Sequence, residues 1–239
     1  MSQLFLVRHG QARLFTDNYD RLSDLGVRQS CVLGQYWAAN GIRPSQVWTG
    51  SLVRQIRTAE TAGEEFSNCD LRWPEPTVSE QLNEYPAEEI MQTLGGHLRE
   101  ADPEIATLAD AFDDAGEKAD RYRYFHRLLV AVTARWVEGD YECTDVPVSW
   151  ADWSGGVRKA LRRIMAETGS GESVAIFTSG GPIGVCTQTI LGAPDIKAAE
   201  LNWRIHNGSV TRFTFSGERV SLDRFNDVAH LSRELLTYR

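Results

Sequence analysis

The chain has 239 residues, 42% of them apolar and 24% charged, with seven Trp and nine Phe, which excludes a disordered or low-complexity polypeptide and allows a sizeable core. A formal net charge of −8 and a pI near 5.2 argue against nucleic acid or an anionic membrane surface as partner, so any anionic ligand has to be captured by a local cluster of cations. Four scattered cysteines without a C-x-x-C pair speak against a zinc site or disulfide framework, and no signal-peptide pattern or membrane-length apolar run is seen; the expectation is a cytoplasmic globular protein forming one domain over residues 1–239.

Leu4-Phe5-Leu6-Val7 is an apolar run flanked by polar residues, which reads as a short strand buried on both faces. Arg8-His9-Gly10 follows at its carboxyl end, where open parallel sheets hold their ligands. Residues 11 to 20 carry no period and read as a loop of the kind that covers a site. Ser23 is placed to cap a helix carrying Val27, Ser30, Cys31, Gly34 and Tyr36-Trp37 near one face, stopped by Asn40-Gly41 and Pro44. A short strand at Val47-Trp48-Thr49, a helix from Leu52 to about Phe66 and a third strand at Thr77-Val78-Ser79 come next. A turn then leads to a helix beginning near Pro86.

From Asp102 to Leu161 the pattern is mostly helical, broken at Gly116, Gly139 and Pro147. Tyr122, Phe125, Leu128, Leu129, Val132 and Trp136 form a stripe at helical spacing that reads as core or helix contact rather than a cofactor box. The last long helix opens at Ser149–Trp153, with Trp150 and Trp153 assigned to the core. Ser173 to Thr178 is the strongest strand and runs into Ser179-Gly180-Gly181-Pro182, where Pro182 suits a first helical position; that helix ends at Leu191–Pro194. Ile205 to Phe215 and Val220 to Phe225 alternate as two closing strands joined at Ser216-Gly217. The alternation of strands and helices predicts an α/β three-layer sandwich, with a mostly parallel central sheet, helices on both faces and a helical insertion near residues 85–155.

Four pieces fall at strand ends or helix starts, where one pocket can gather them. Arg8 offers a planar fork for phosphate or carboxylate, His9 a nucleophile or proton carrier, and Gly10 a close backbone approach. Arg54 sits in the first turn of its helix, where free N–H groups and the dipole also favour an anion; Arg57 reads as solvated. Glu84 is a carboxylate placed soon after a strand, and Ser179-Gly180-Gly181 is a backbone arrangement able to hold phosphate through its N–H groups. A serine hydrolase is rejected, because the elbow before Ser179 would need Gly where Phe177 stands.

In this order the pieces resemble the histidine phosphatase superfamily, the phosphoglycerate mutase-like fold, from residue 3 to about 230. The likeness rests on Arg8-His9-Gly10, Leu22-Ser23-x-Leu25-Gly26-x-x-Gln29, Leu52-x-Arg54-x-x-x-Thr58-Ala59, Leu82-x-Glu84 and Phe225-Asn226-Asp227-x-x-His230-Leu231. It implies that His9 attacks phosphorus to give a phosphohistidine, with its other ring nitrogen held by a backbone carbonyl. Arg8 and Arg54 would clamp the phosphoryl oxygens, Glu84 would protonate the leaving oxygen, and Gln11, Ser179 and Gly180 would bind substrate. Neither metal nor other cofactor is implied, and the partner is a small phosphorylated metabolite or inorganic phosphate.

The departure is at Ser179, where the family pattern has a second pocket histidine. A hydroxyl donates one hydrogen bond but no charge, and losing such a transition-state donor costs about 10²–10³-fold in rate. His206 is the nearest replacement in sequence but begins a separate strand, while His97, His126 and His230 read as solvated or capping. The leading expectation is a phosphatase of reduced or atypical activity. The alternatives are a non-catalytic phospho-ligand binder that retains the pocket, and mutase-type phosphoryl transfer, for which the insertion offers too little Arg and Lys.

Overall fold

The computed structural model describes residues 1–13 and 20–238. Two compact units emerge, one formed by Met1–Glu84 with Gly156–Arg239 and the other by Tyr85–Gly155, the span read in the sequence as a helical insertion.

The first unit is built on a six-stranded sheet in the order β3-β2-β4-β1-β5-β6. Its strands are β1 (Ser2–Arg8), β2 (Gln46–Thr49), β3 (Thr77–Val78), β4 (Ser173–Thr178), β5 (Val210–Ser216) and β6 (Arg219–Asp227). Pairing is parallel from β3 across β2 and β4 to β1, and antiparallel for β1–β5 and β5–β6. Central β1 is apolar on both faces because both are covered: Leu4, Phe5, Leu6 and Val7 are all buried. Phe5 and Val7 pack with Ala175 and Phe177 of β4 against Leu33 and Trp37 of α1 (Asp24–Ala39) and Ala59, Ala62 and Phe66 of α2 (Val53–Ser67). By strand alternation Leu4, Leu6, Val174 and Ile176 face the other way. On that side the Arg163 guanidinium of α6 (Trp150–Glu167) lies 5.4 Å from the Trp48 ring centroid. α7 (Gly180–Leu191) also contacts β1, so the sheet carries helices on both faces as the alternation predicts.

Ser23 caps α1 as expected, its Oγ accepting from Gly26 N at 3.1 Å. Three local readings need correction. Pro182 is the third residue of α7 rather than its first, a place where its missing N–H still has no intrahelical acceptor to lose. α8 (Ile196–Asn202) was absent from the sequence reading; at seven residues it is too short to show a period. Ile205–Ser209 is not strand, since Gly208 takes φ +71° and turns the chain back toward β1 before β5 begins at Val210. His206 therefore lies in a turn.

The second unit is helical, with α3 (Ala87–Ala101), α4 (Pro103–Asp113) and α5 (Lys118–Glu138) packing on one another. Asp102 caps α4 through Glu104 N at 2.9 Å and also takes Arg135 Nε at 2.9 Å. Of the aromatic and aliphatic stripe on α5 only the carboxyl-terminal part is core. Val132 and Trp136 are buried, whereas Tyr122 and Phe125 are 50% and 38% exposed. Trp136 centres an aromatic cluster with Tyr85, Trp150 and Trp153 at centroid distances of 5.0–5.7 Å, so those two tryptophans are packing residues of this unit.

Candidate active site

The parallel strands β1, β2 and β4 all end on one edge, and the register Arg8↔Thr178 sets His9 beside Ser179. His9 N donates to Thr178 O at 2.9 Å, extending the ladder one residue past the strand. Gly208 N lies 3.1 Å from Arg8 O and 3.2 Å from His9 O, so the turn misread as strand instead satisfies the carbonyls of the two site residues. Gly10 and Gly26 are required for a mutual close approach. A Cβ on Gly10 would stand 2.3 Å from Gly26 O, and one on Gly26 would stand 2.2 Å from Gln11 O. The first turn of α1 thus rests directly on the chain that follows His9.

His9 is 5% exposed, and its two ring nitrogens have separate partners. Nδ1 is 2.7 Å from Gly10 O, and Nε2 is 3.2 Å from Arg54 Nε. A carbonyl can only accept and a guanidinium can only donate, so the proton sits on Nδ1 and Nε2 keeps its lone pair. Burial, then the Arg54 and Arg8 charges, hold the imidazole pKa well below its usual value, against a smaller upward pull from the Gly10 carbonyl. That shift favours the neutral ring, with the lone pair at Nε2. Arg54 reaches it from the first turn of α2, where Thr58 Oγ1 donates to Arg54 O at 2.7 Å and accepts from Gly10 N at 3.0 Å. Arg8 donates through Nη1 to Ile205 O, which fixes the guanidinium beside the strand end.

Glu84 arrives on a segment that is tied down residue by residue. Leu82 O accepts from Thr178 Oγ1 at 2.5 Å and from Gln55 Nε2 at 3.2 Å. Asn83 exchanges two hydrogen bonds with Ser51, each of 2.8 Å. Glu84 Oε2 then accepts from Gly181 N at 3.0 Å, at the amino terminus of α7. His9, Arg8, Arg54, Glu84 and the Ser179–Gly181 turn are thus gathered at one sheet edge.

The three other proposed substrate contacts are each engaged within the protein. Ser179 is fully buried and its Oγ accepts from Gln55 Nε2 at 2.8 Å. Gly180 packs so closely on Asn202 that a Cβ would fall 2.0 Å from its Oδ1. The Gln11 side chain accepts from Ser23 Oγ at 2.8 Å. His206 stacks on Tyr238 at 4.0 Å, and His230 Nε2 lies 3.0 Å from Gly208 O, so both support the turn below Arg8 and His9. The loop expected over residues 11–20 closes at a bridge between Ala12 and Leu22, while residues 14–19 lie outside the described residues.

Sequence reasoning missed Gln55, Thr58 as a site support, and Asp20. Asp20 pairs with Arg54 Nη1 at 2.7 Å. Gln55 carried one legible signal: three residues after Leu52, it returns Oε1 to Leu52 N at 3.3 Å, the side-chain half of a capping box. Among the described residues no group of three or more His, Cys, Asp or Glu could hold a metal ion, and no helix is long and apolar enough to cross a membrane.

A family model described as histidine phosphatase superfamily (branch 1) matches residues 4–122 and 125–228. No curated protein sequence matches the chain. Among solved structures, a mutant phosphoserine phosphatase from Entamoeba histolytica in complex with phosphoserine is similar with a TM-score of 0.63 at 16% identity, covering 97% of this chain and 100% of that one. A phosphoglycerate mutase from Bacillus anthracis is similar with a TM-score of 0.63 at 15% identity, over 96% and 94%. A mycobacterial glucosyl-3-phosphoglycerate phosphatase follows the same fold with a TM-score of 0.60 at 19% identity, over 94% and 98%.

Proposed function

Because the chain belongs to the histidine phosphatase superfamily, we propose that it is a phosphomonoesterase that hydrolyses a small phosphorylated metabolite through a phosphohistidine on His9. The observation that carries this reading is the state of the imidazole: Nδ1–H is held by Gly10 O, and the Nε2 lone pair sits beside a guanidinium in a buried site that keeps the ring neutral. Nε2 attacks phosphorus, a P–N bond forms as the P–O bond to the leaving group breaks, and Glu84 delivers a proton to the departing oxygen. Water then attacks the phosphohistidine, giving its proton to the Glu84 carboxylate, and inorganic phosphate leaves with neutral His9 restored. Arg8 and Arg54 meet the charge on the equatorial oxygens, as phosphoryl transfer requires. The substrate side is read from relatives only in class: similar structures hold phosphoserine and, in a second complex of the Entamoeba histolytica enzyme, 3-phosphoglyceric acid.

A non-catalytic phospho-ligand binder is the second reading, favoured by the fully buried, Gln55-bonded Ser179. Mutase-type transfer is the third, since a phosphoglycerate mutase shares the fold. One experiment separates the first two. Wild-type protein and His9→Ala are assayed on p-nitrophenyl phosphate and a panel of phosphorylated metabolites, and acid-labile phosphohistidine is sought by ³¹P NMR after rapid quenching. Turnover that falls by at least about 10³-fold in His9→Ala, with a phosphohistidine signal in wild type, is expected. Activity that survives the substitution overturns the mechanism, and absence of both turnover and phosphoenzyme moves the protein to the binder class.

A further inference from the structure

The amino terminus of α2 already holds an anion, and the chain itself supplies it. Asp20 Oδ2 accepts from Val53 N at 2.7 Å, and Oδ1 lies 2.7 Å from Arg54 Nη1 and 3.5 Å from Arg54 N. This carboxylate is no local cap: it comes from the turn before α1, more than thirty residues upstream of the helix it satisfies. Arg54, 9% exposed at its side chain, is gripped at both ends, by Asp20 at Nη1 and by His9 Nε2 at Nε.

We infer that Asp20 is an intramolecular competitor of the phosphoryl group: its carboxylate occupies the helix-terminal amides and the guanidinium that a phosphoryl group would use, and it holds Arg54 across the His9 lone pair. The inference rests on reading this pocket as a phosphoryl site. One geometric fact and one electrostatic argument support it. First, a phosphorus atom has to approach Nε2 along the lone pair, and that direction is taken by Arg54 Nε–H at 3.2 Å. Arg54 must therefore swing from the nitrogen to a phosphoryl oxygen, and Nη1 swings with the same rigid plane away from Asp20. Second, a carboxylate and a phosphate dianion cannot share one guanidinium and one helix end without mutual repulsion. At 33% exposure the Asp20 side chain has solvent available to it when displaced.

The consequence is an affinity held below what the bare pocket would give, because the binding-competent state is only a fraction of the ensemble. An orienting role for Asp20 predicts the reverse, since loss of the carboxylate would then let Arg54 wander and weaken binding. The test is calorimetric titration of inorganic phosphate into the full chain as wild type, Asp20→Asn, Asp20→Ser, Arg54→Ala and Arg54→Ala/Asp20→Asn. Asparagine and serine both retain a neutral acceptor for Val53 N, so the helix end stays capped, and thermal unfolding of each variant checks this.

Phosphate is expected to bind about tenfold tighter to Asp20→Asn and Asp20→Ser than to wild type, with the gain abolished when Arg54 is also removed. A loss of function through misfolding could not produce tighter binding. Equal or weaker binding by both variants, with measurable binding by wild type, overturns the inference and leaves the pocket reading standing. No phosphate binding by any of the proteins overturns both. A gain that persists in the Arg54→Ala background also overturns the inference, because the competition is then not for Arg54.

Discussion

Gly26→Ala sets two effects of known sign against each other. Gly26 lies in the first turn of α1, where alanine is the better helix former by about 0.5–1 kcal/mol. The added Cβ, however, would stand 2.2 Å from Gln11 O and 2.8 Å from Gln11 N, where ordinary contact begins at 3.4 Å. The obstacle is backbone rather than a flexible side-chain end, so helix and loop must part by about 1 Å, an overpacking that typically costs about 1–3 kcal/mol. The clash outweighs the propensity, and a net destabilisation of about 1–2 kcal/mol is expected, or roughly 2–8 °C in Tm for a chain of this size. On the proposed mechanism activity suffers more than stability, because the displaced segment carries the carbonyl that fixes His9 Nδ1, and a 1 Å misplacement of a reacting group costs about 10²-fold. Gly96→Ala is the control: Gly96 lies inside α3 with no atom within 4 Å of the new Cβ, so the same change should stabilise by about 0.5–1 kcal/mol. Urea denaturation and kcat/KM on a phosphate monoester read both variants. A Gly26→Ala protein as stable as wild type with full activity would refute the contact as the reason for glycine there.

Three further outcomes follow from the site. On the proposed mechanism neutral His9 attacks, and its pKa is held below the usual value by burial and two guanidiniums, so kcat/KM should persist as pH drops below about 6.5 and decline only at lower pH. Stability moves with the same group: below pH 6.5 the unfolded chain binds a proton that folded His9 refuses, so stability falls by up to about 1.4 kcal/mol per pH unit until the folded group titrates too. Half-buried His230, also shifted down, adds to that slope in wild type, and His9→Gln should remove only the part due to His9; urea titrations at pH 7.5 and 5.5 compare the two. Ser179→His should lower Tm and bring no gain in kcat/KM, because the imidazole would enter a fully buried slot already filled by the Gln55 amide. A rise in turnover on generic phosphate esters would show that the slot can reopen toward the pocket.

How much of this was legible follows from the range of the interactions. β1, Arg8-His9-Gly10 and the first-turn Arg54 announce themselves, because an apolar run, a breaker and a helix start are local patterns. The role of Glu84 came through resemblance, since one carboxylate after a strand is indistinguishable from a solvated one. The partnerships were hidden: Arg54 with Asp20 spans 34 residues, Gly10 with Thr58 spans 48, and Gln55 with Ser179 spans 124. Ile205–Ser209 failed for the opposite reason. Its alternation is real, but the positive φ of Gly208 and its bonds to the Arg8 and His9 carbonyls override it.

Position 179 joins these threads. Where the resemblance leads one to look for a second imidazole, the chain places a hydroxyl and closes the space with Gln55, whose amide spans Leu52 N, Leu82 O and Ser179 Oγ. That network is neutral, and what it does is fix the loop that carries Glu84 to Gly181 N. In the proposed phosphoryl site the positive charge at the ends of β1 and α2 comes from Arg8 and Arg54. Arg54 is held by the Asp20 carboxylate, which offsets its charge at the pocket. With one donor fewer at position 179, whatever frees Arg54 from Asp20 has a correspondingly larger share in forming the anion site.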